Sequence, residues 1–237
     1  MDLPPIALVH SPLTGPQAWG ALPESLQARG HEVAVVAVRD DEHPPYATRF
    51  VARAAQDLAA ADITGPLVLV GHSGAGYLLP QIGSARRAGR RNVGGYVLLD
   101  AGIPRGIGTT RLSLMHVEDE QAAREVEAVL RAGGRFPSWT DDDLRDLVPD
   151  PRRRAELVGS LRPRALDFFT EALPFPGDWP DAPCGYLQLT AAYDGAARLA
   201  RSRGWPVVSA SLPGGHFAPC VDPDGVADLL VELLPLL

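Results

Sequence analysis

Apolar residues fall into two alternating patterns along the chain. Short runs rich in Val, Leu and Ile occupy residues 5–9, 33–38, 66–70, 94–100, 186–192 and 205–212. Each run is too short for a helix and is bounded by Gly, Pro or polar residues. Each therefore predicts a strand buried on both faces. Between them the apolar positions take helical spacing: Trp19, Leu22 and Leu26 before Gly30, then Phe50, Ala54, Leu58 and Ala61 over 47–61. Further helices are expected from Tyr77 to about Ala88, in a short stretch ending at Arg203, and over 223–234. Strand and helix alternating at this pace imply right-handed crossovers. The expected fold class is α/β: an open, mostly parallel six-stranded sheet with helices on both faces.

The alternation stops between residues 103 and 182, where no convincing buried strand occurs. Helices are expected there near 117–131, 141–147, 151–160 and 163–171, joined by Pro- and Gly-bearing turns. The stretch holds Phe136, Trp139, Phe168, Phe169, Phe175 and Trp179, most of the bulky aromatics. So long a strandless insertion leaving a strand's carboxyl end predicts a lid over the ligand-binding rim. The plainer reading is a surface subdomain packing its own small core. The expected organisation is a core of 1–102 and 183–237 with a helical lid at 103–182.

The sharpest local signal is Gly71-His72-Ser73-Gly74-Ala75-Gly76, directly after the run at 66–70 and before Tyr77-Leu78-Leu79. A strand that breaks at once into a helix holds its serine on a tight turn beside free backbone N–H groups. Small neighbours let the two backbones approach. This segment resembles the nucleophile elbow of the α/β-hydrolase superfamily, Gly-x-Ser-x-Gly, with Ala75 in place of the second glycine. Two further points are similar: Tyr193-Asp194-Gly195 after the fifth strand and Gly214-Gly215-His216-Phe217 after the sixth. The resemblance covers essentially the whole chain, which would lack the superfamily's first hairpin, and it implies a serine hydrolase.

In that reading Ser73 attacks, His216 is the base and Asp194 orients it, in the family's chain order. Asp100 is the rival acid, since Asp194 could simply begin the following helix. The resemblance implies that Gly74 and a residue after the first strand stabilise the oxyanion. Pro12 stands at that second place without an N–H, so the Leu13 N–H or the Thr14 hydroxyl is the expected substitute donor. His10, His72, Trp139, Phe168, Trp179 and Phe217 are the expected substrate-pocket residues, with His72 packing or hydrogen-bonding at the elbow.

Composition narrows the partners. Hydrophobic residues are 46% and charged residues 22%, with net charge −7 and pI near 5.3. This balance argues against nucleic acid or an anionic membrane surface. All 22 basic residues are arginine, which excludes Schiff-base lysine chemistry. The scattered histidines and Asp141-Asp142-Asp143 lack metal-ligand spacing, so neither a metal nor another cofactor is expected. Cys184 and Cys220 are too few for a disulfide framework, and with no signal segment or spanning run a cytoplasmic location is expected. The expected partner is a small apolar molecule carrying an ester, thioester or lactone. Secondary metabolism is the expected setting, and oligomeric state is left open. The alternatives are a lyase, eliminase or cyclase using Ser73 and His216 for proton transfer, and a non-catalytic small-molecule binder.

Overall fold

The computed structural model describes residues 3–39 and 42–237. Six strands, β1 (Ile6–Val9), β2 (Val33–Val36), β3 (Leu67–His72), β4 (Val93–Leu99), β5 (Cys184–Gln188) and β6 (Val207–Ser209), form one sheet in the order β2-β1-β3-β4-β5-β6. Every pairing is parallel. Alternate residues feed two cores, as the two-residue period of a strand requires. Ala7, Val9, Leu67, Leu69, Tyr96 and Leu98 face one layer, while Ile6, Leu8, Val68, Val70, Val97 and Leu99 face the other.

The first layer is completed by α2 (Tyr46–Ala60), α3 (Leu79–Ala88) and α8 (Asp194–Ser202), which bury residues such as Phe50, Ile82 and Ala197. The second is completed by α1 (Leu22–Ala28) and α10 (Pro223–Leu233), through Leu22, Leu26, Val226 and Leu230. Between α8 and α10 the chain makes the short α9 (Ala218–Val221). From β1 the chain moves outward to β2 and then returns to the other side of β1 as β3. That reversal of strand order opens a crevice between the carboxyl ends of β1 and β3, where ligands of such sheets bind.

The segment between β4 and β5 holds α4 (Arg111–Glu118), α5 (Glu120–Arg131), α6 (Pro151–Gly159) and α7 (Leu166–Thr170) and no strand. Isolated bridges join Thr110 to Ala172 and Phe136 to Arg164. Residues 141–147 are turns, where the spacing predicts a helix. There the Asp143 side chain accepts from the Thr140 N–H, and the Thr140 hydroxyl accepts from the Asp143 N–H. Short polar side chains in this way compete with the helix ladder for backbone groups. The insertion is anchored to the core at the N-terminus of α2. Glu171 accepts from the Ala47 N–H at 2.9 Å, and Asp167 from the Tyr46 hydroxyl at 2.6 Å. A carboxylate at a helix N-terminus also meets the positive end of its dipole.

Candidate active site

Strand β3 ends at His72, and Ser73 follows at φ 57° as the first residue of a short 3-10 helix, Ser73–Leu78. A non-glycine residue in the left-handed region is strained, and the surroundings must hold it there. Here the holding is steric. A Cβ on Gly76 would stand 2.3 Å from the carbonyl oxygen of Gly102, and one on Gly71 would stand 2.9 Å from the Leu79 side chain. The close approach thus falls at Gly76 rather than at position 75, so Ala75 fits where the elbow pattern has glycine. The Ser73 hydroxyl lies 3.4 Å from the Tyr193 hydroxyl.

His216 lies in a 3-10 turn, Gly215–Phe217, entered through Gly214 and Gly215, both at positive φ. Its Nδ1 is 2.8 Å from Oδ2 of Asp100, the residue after β4. Asp100 is fully buried, at 0% exposure, and its carboxylate also accepts from the Leu189 N–H, the Thr190 N–H and the Thr190 hydroxyl at 2.8–3.0 Å. Burial alone would raise this carboxyl. The hydrogen bond and charge of His216, with the Leu189 and Thr190 donors, outweigh it and hold the group below the ordinary carboxylate value. An ionised Asp100 requires a proton on Nδ1 of His216, which leaves Nε2 as the basic nitrogen of the neutral ring.

Tyr193 stacks on the His216 ring, with centroids 5.4 Å apart and planes 12° apart. On another side the His72 ring centroid is 4.4 Å away. His72 is pushed down to about 3, first by burial and then by repulsion from His216. It is therefore neutral, and its Nε2–H donates to the His216 carbonyl at 2.9 Å. Around Ser73 and His216 lies a cavity of about 630 Å³. Its far wall is apolar and comes from the insertion: Met115, Val126, Phe136, Trp139, Leu144 and Phe168.

The sequence profile of the alpha/beta hydrolase family matches residues 6–229. The chain belongs to that family. Solved structures agree in fold along nearly the whole length of this alpha/beta hydrolase. A variant of tomato methylketone synthase I complexed with beta-ketoheptanoate superposes with TM-score 0.72 at 12% identity, covering 99% of both chains. A pyrethroid hydrolase from Sphingobium faniae gives TM-score 0.66 at 19% identity, covering 98% of this chain and 97% of its own. The RedJ thioesterase of the prodiginine pathway in Streptomyces coelicolor gives 0.55 at 20% identity, covering 99% and 90%. No curated protein sequence matches significantly.

The alpha/beta hydrolase brings Ser73, Gly74, His72, His216, Trp139, Phe168, Phe217, Pro12 and Leu13 to one cavity. Three expected residues stand elsewhere. Asp194 is exposed at the start of α8 and accepts from the Gln188 side chain at 2.5 Å; the carboxylate on His216 is Asp100. His10 is buried beneath the rim, its Nδ1 donating to the Ser11 carbonyl and its Nε2 accepting from the Val38 N–H. Trp179 packs edge-on to Tyr96 and Trp205, away from the cavity, because the chain there is already descending to β5. The Leu13 N–H is spent within its own loop, donating to Ser11 Oγ at 3.2 Å. Tyr193 and Glu118 are among the cavity residues without a sequence signal of their own. Tyr193 is marked only by its neighbour Asp194. Glu118 reaches the wall through the packing of α4 and accepts from the Tyr77 hydroxyl at 2.7 Å. Among the described residues no cluster of His, Cys, Asp and Glu could hold a metal ion, and no helix is long and apolar enough to cross a membrane.

Proposed function

We propose that the protein is a serine hydrolase that cleaves an ester, thioester or lactone of an apolar small molecule through an acyl-enzyme on Ser73. The observation that carries this is the pairing of His216 Nδ1 with the buried, multiply hydrogen-bonded Asp100, in the same cavity as a strained, outward-turned serine. Such a pairing fixes the imidazole tautomer that leaves Nε2 to take a proton, and stabilises the imidazolium once formed. In the resting structure no hydrogen bond joins Ser73 to His216, and the serine hydroxyl has Tyr193 as its neighbour. A change of rotamer at Ser73 would bring Oγ towards Nε2, in keeping with the looser geometry of ligand-free sites.

In the forward step Ser73 Oγ bonds to the carbonyl carbon and its proton passes to His216 Nε2. The tetrahedral oxyanion is met by the N–H of Gly74, which lies in the first turn of the helix and has no carbonyl within it to bond. Collapse breaks the bond to the alkoxide or thiolate, which leaves with the proton from His216. Water then attacks the acyl carbon and gives its proton to His216, which passes it to Ser73 Oγ as the bond to the acyl group breaks and the acid leaves. The apolar walls and the volume suit an acyl or alkyl body of drug-like size, and the insertion that supplies those walls acts as a lid.

The test is intact-mass spectrometry after a small fluorophosphonate, run beside Ser73→Ala and His216→Ala. The expected result is one stoichiometric adduct on the parent protein and none on either variant. A folded protein that takes no adduct would sink the acyl-enzyme, leaving proton-transfer chemistry or binding alone to be examined with the same cavity.

A further inference from the structure

Pro12 removes a backbone donor from the loop after β1, and the next two are spent within the loop. The Leu13 N–H goes to Ser11 Oγ, and the Thr14 N–H to the Ser11 carbonyl at 3.0 Å. The Thr14 hydroxyl points to that same carbonyl. An oxyanion formed on Ser73 would thus have the Gly74 N–H and no second main-chain donor from this loop. One uncommitted proton does stand in it. Ser11 Oγ accepts from Leu13, and among the described residues its own hydroxyl donates no hydrogen bond.

We propose that the Ser11 side-chain hydroxyl is the second oxyanion donor, taking the place of the main-chain N–H that Pro12 abolishes. The sheet puts it there. β1 and β3 are parallel neighbours with Val9 beside Gly71, so two residues further on Ser11 lies across the crevice from Ser73. An added Cβ on Gly74 would stand 3.3 Å from Ser11 Oγ, which places this hydroxyl directly against the residue that gives the other donor. Ser11 is 1% exposed and still lines the cavity, so its proton faces a ligand with little competition from bulk water.

The hydroxyl is also held ready. Its carbonyl accepts from His10 Nδ1 at 2.8 Å and from Thr14, and the Leu13 N–H fixes Oγ from the other side. His10 is in turn held by the Val38 N–H. This gives the buried His10 a purpose that a pocket role does not: it positions Ser11. Donors fixed before reaction cost no reorganisation when charge develops, which is where such sites gain most of their effect. The rival donor is Tyr193, 3.4 Å from Ser73 Oγ, but it approaches from the His216 side of the serine.

The inference rests on the acyl-enzyme reading, and the experiment separates the two. The parent protein, Ser11→Ala, the near-isosteric Ser11→Cys, Ser11→Thr, the double variant Ser11→Ala with Pro12→Ala, and Tyr193→Phe are each checked for a folded state by circular dichroism. Fluorophosphonate labelling of Ser73, kcat and KM on a p-nitrophenyl ester, and the inhibition constant of an alkyl trifluoromethyl ketone are then measured. That ketone adds Ser73 Oγ and places a tetrahedral oxyanion in the hole. Loss of the donor is expected to lower kcat by ~10²–10³-fold in the Ala and Cys variants, and ketone affinity by a similar factor, with KM little changed. Ser11→Thr should keep most activity, and Pro12→Ala should restore part of what Ser11→Ala loses, since it returns an N–H to the loop. Folded, labelled Ala and Cys variants with unchanged kcat and ketone affinity would overturn the proposal. So would a loss of ketone affinity confined to Tyr193→Phe. A parent protein that resists labelling overturns the acyl-enzyme reading itself, and this inference with it.

Discussion

Asp100 receives four hydrogen bonds on one carboxylate, whereas Asp194 has one partner, the Gln188 amide, and faces solvent. This difference makes a direct residue-scale prediction. Asp100→Asn, in which the amide can offer an N–H to His216 and favour the wrong tautomer, is expected to lower kcat by ~10³–10⁴-fold. Asp194→Asn should leave kcat near the parent value. Steady-state assays on one ester decide between them, and a larger loss in Asp194→Asn would return the orienting role to that residue. Both acids follow an apolar strand run, so the local pattern does not separate them. Chain order favours Asp194, whereas the structure pairs His216 with Asp100. What separates them is the positive φ of Asp100, 42°, and its reach across to Thr190, neither of which leaves a mark in composition or spacing. Ser73 and His216 were legible because small residues crowd around each, and the tight turns at both sites require them.

At the scale of elements, the apolar runs located all six strands, and the errors were confined to their ends. The helix expected at 141–147 failed because Thr140 and Asp143 bond each other's backbone, a local competition that an apolar period cannot register. Contact between elements was less legible still. Helix α4 ends at Glu118, whose carboxyl meets Tyr77 on the turn that follows Ser73, so this pair ties the insertion to the nucleophile turn. Burial pushes the Glu118 carboxyl up to about 7, against the pull of the Tyr77 hydroxyl, the Ile103 N–H and Arg105. The folded protein therefore keeps a proton that the unfolded chain gives up near 4.5. The stability this proton brings is present in full below that value and is lost as pH rises through about 7. Glu118→Gln can still accept from Tyr77 and does not ionise. Thermal melts from pH 5 to pH 8 should show the parent losing on the order of 5 °C relative to Glu118→Gln. Parallel curves would show that the carboxyl is not held neutral by the fold.

Across the whole molecule the division of labour is spatial. The parallel sheet holds Ser73, Asp100 and His216 on a rigid rim, at the crevice where strand order reverses, while the insertion supplies most of the apolar wall. Loops fixed on such a scaffold can keep the chemistry constant while the wall sets what is accepted. If the insertion is the acyl-binding part, shrinking the cavity from that side should change selectivity without touching the chemistry. Val126, on α5, lines the cavity with Phe136 and Phe168 and packs on the cluster of Leu112, Leu130, Phe168 and Phe169. Val126→Trp is expected to lower kcat/KM for p-nitrophenyl octanoate by at least about tenfold, since a filled subsite discriminates by chain length. Activity on p-nitrophenyl acetate and the rate of fluorophosphonate labelling should stay near the parent values, because neither small reagent reaches the insertion. An equal loss on both esters would mean that the insertion shapes the rim itself rather than the acyl site. Parent-level activity on both esters would place the acyl chain along another wall, between Leu13 and Tyr193.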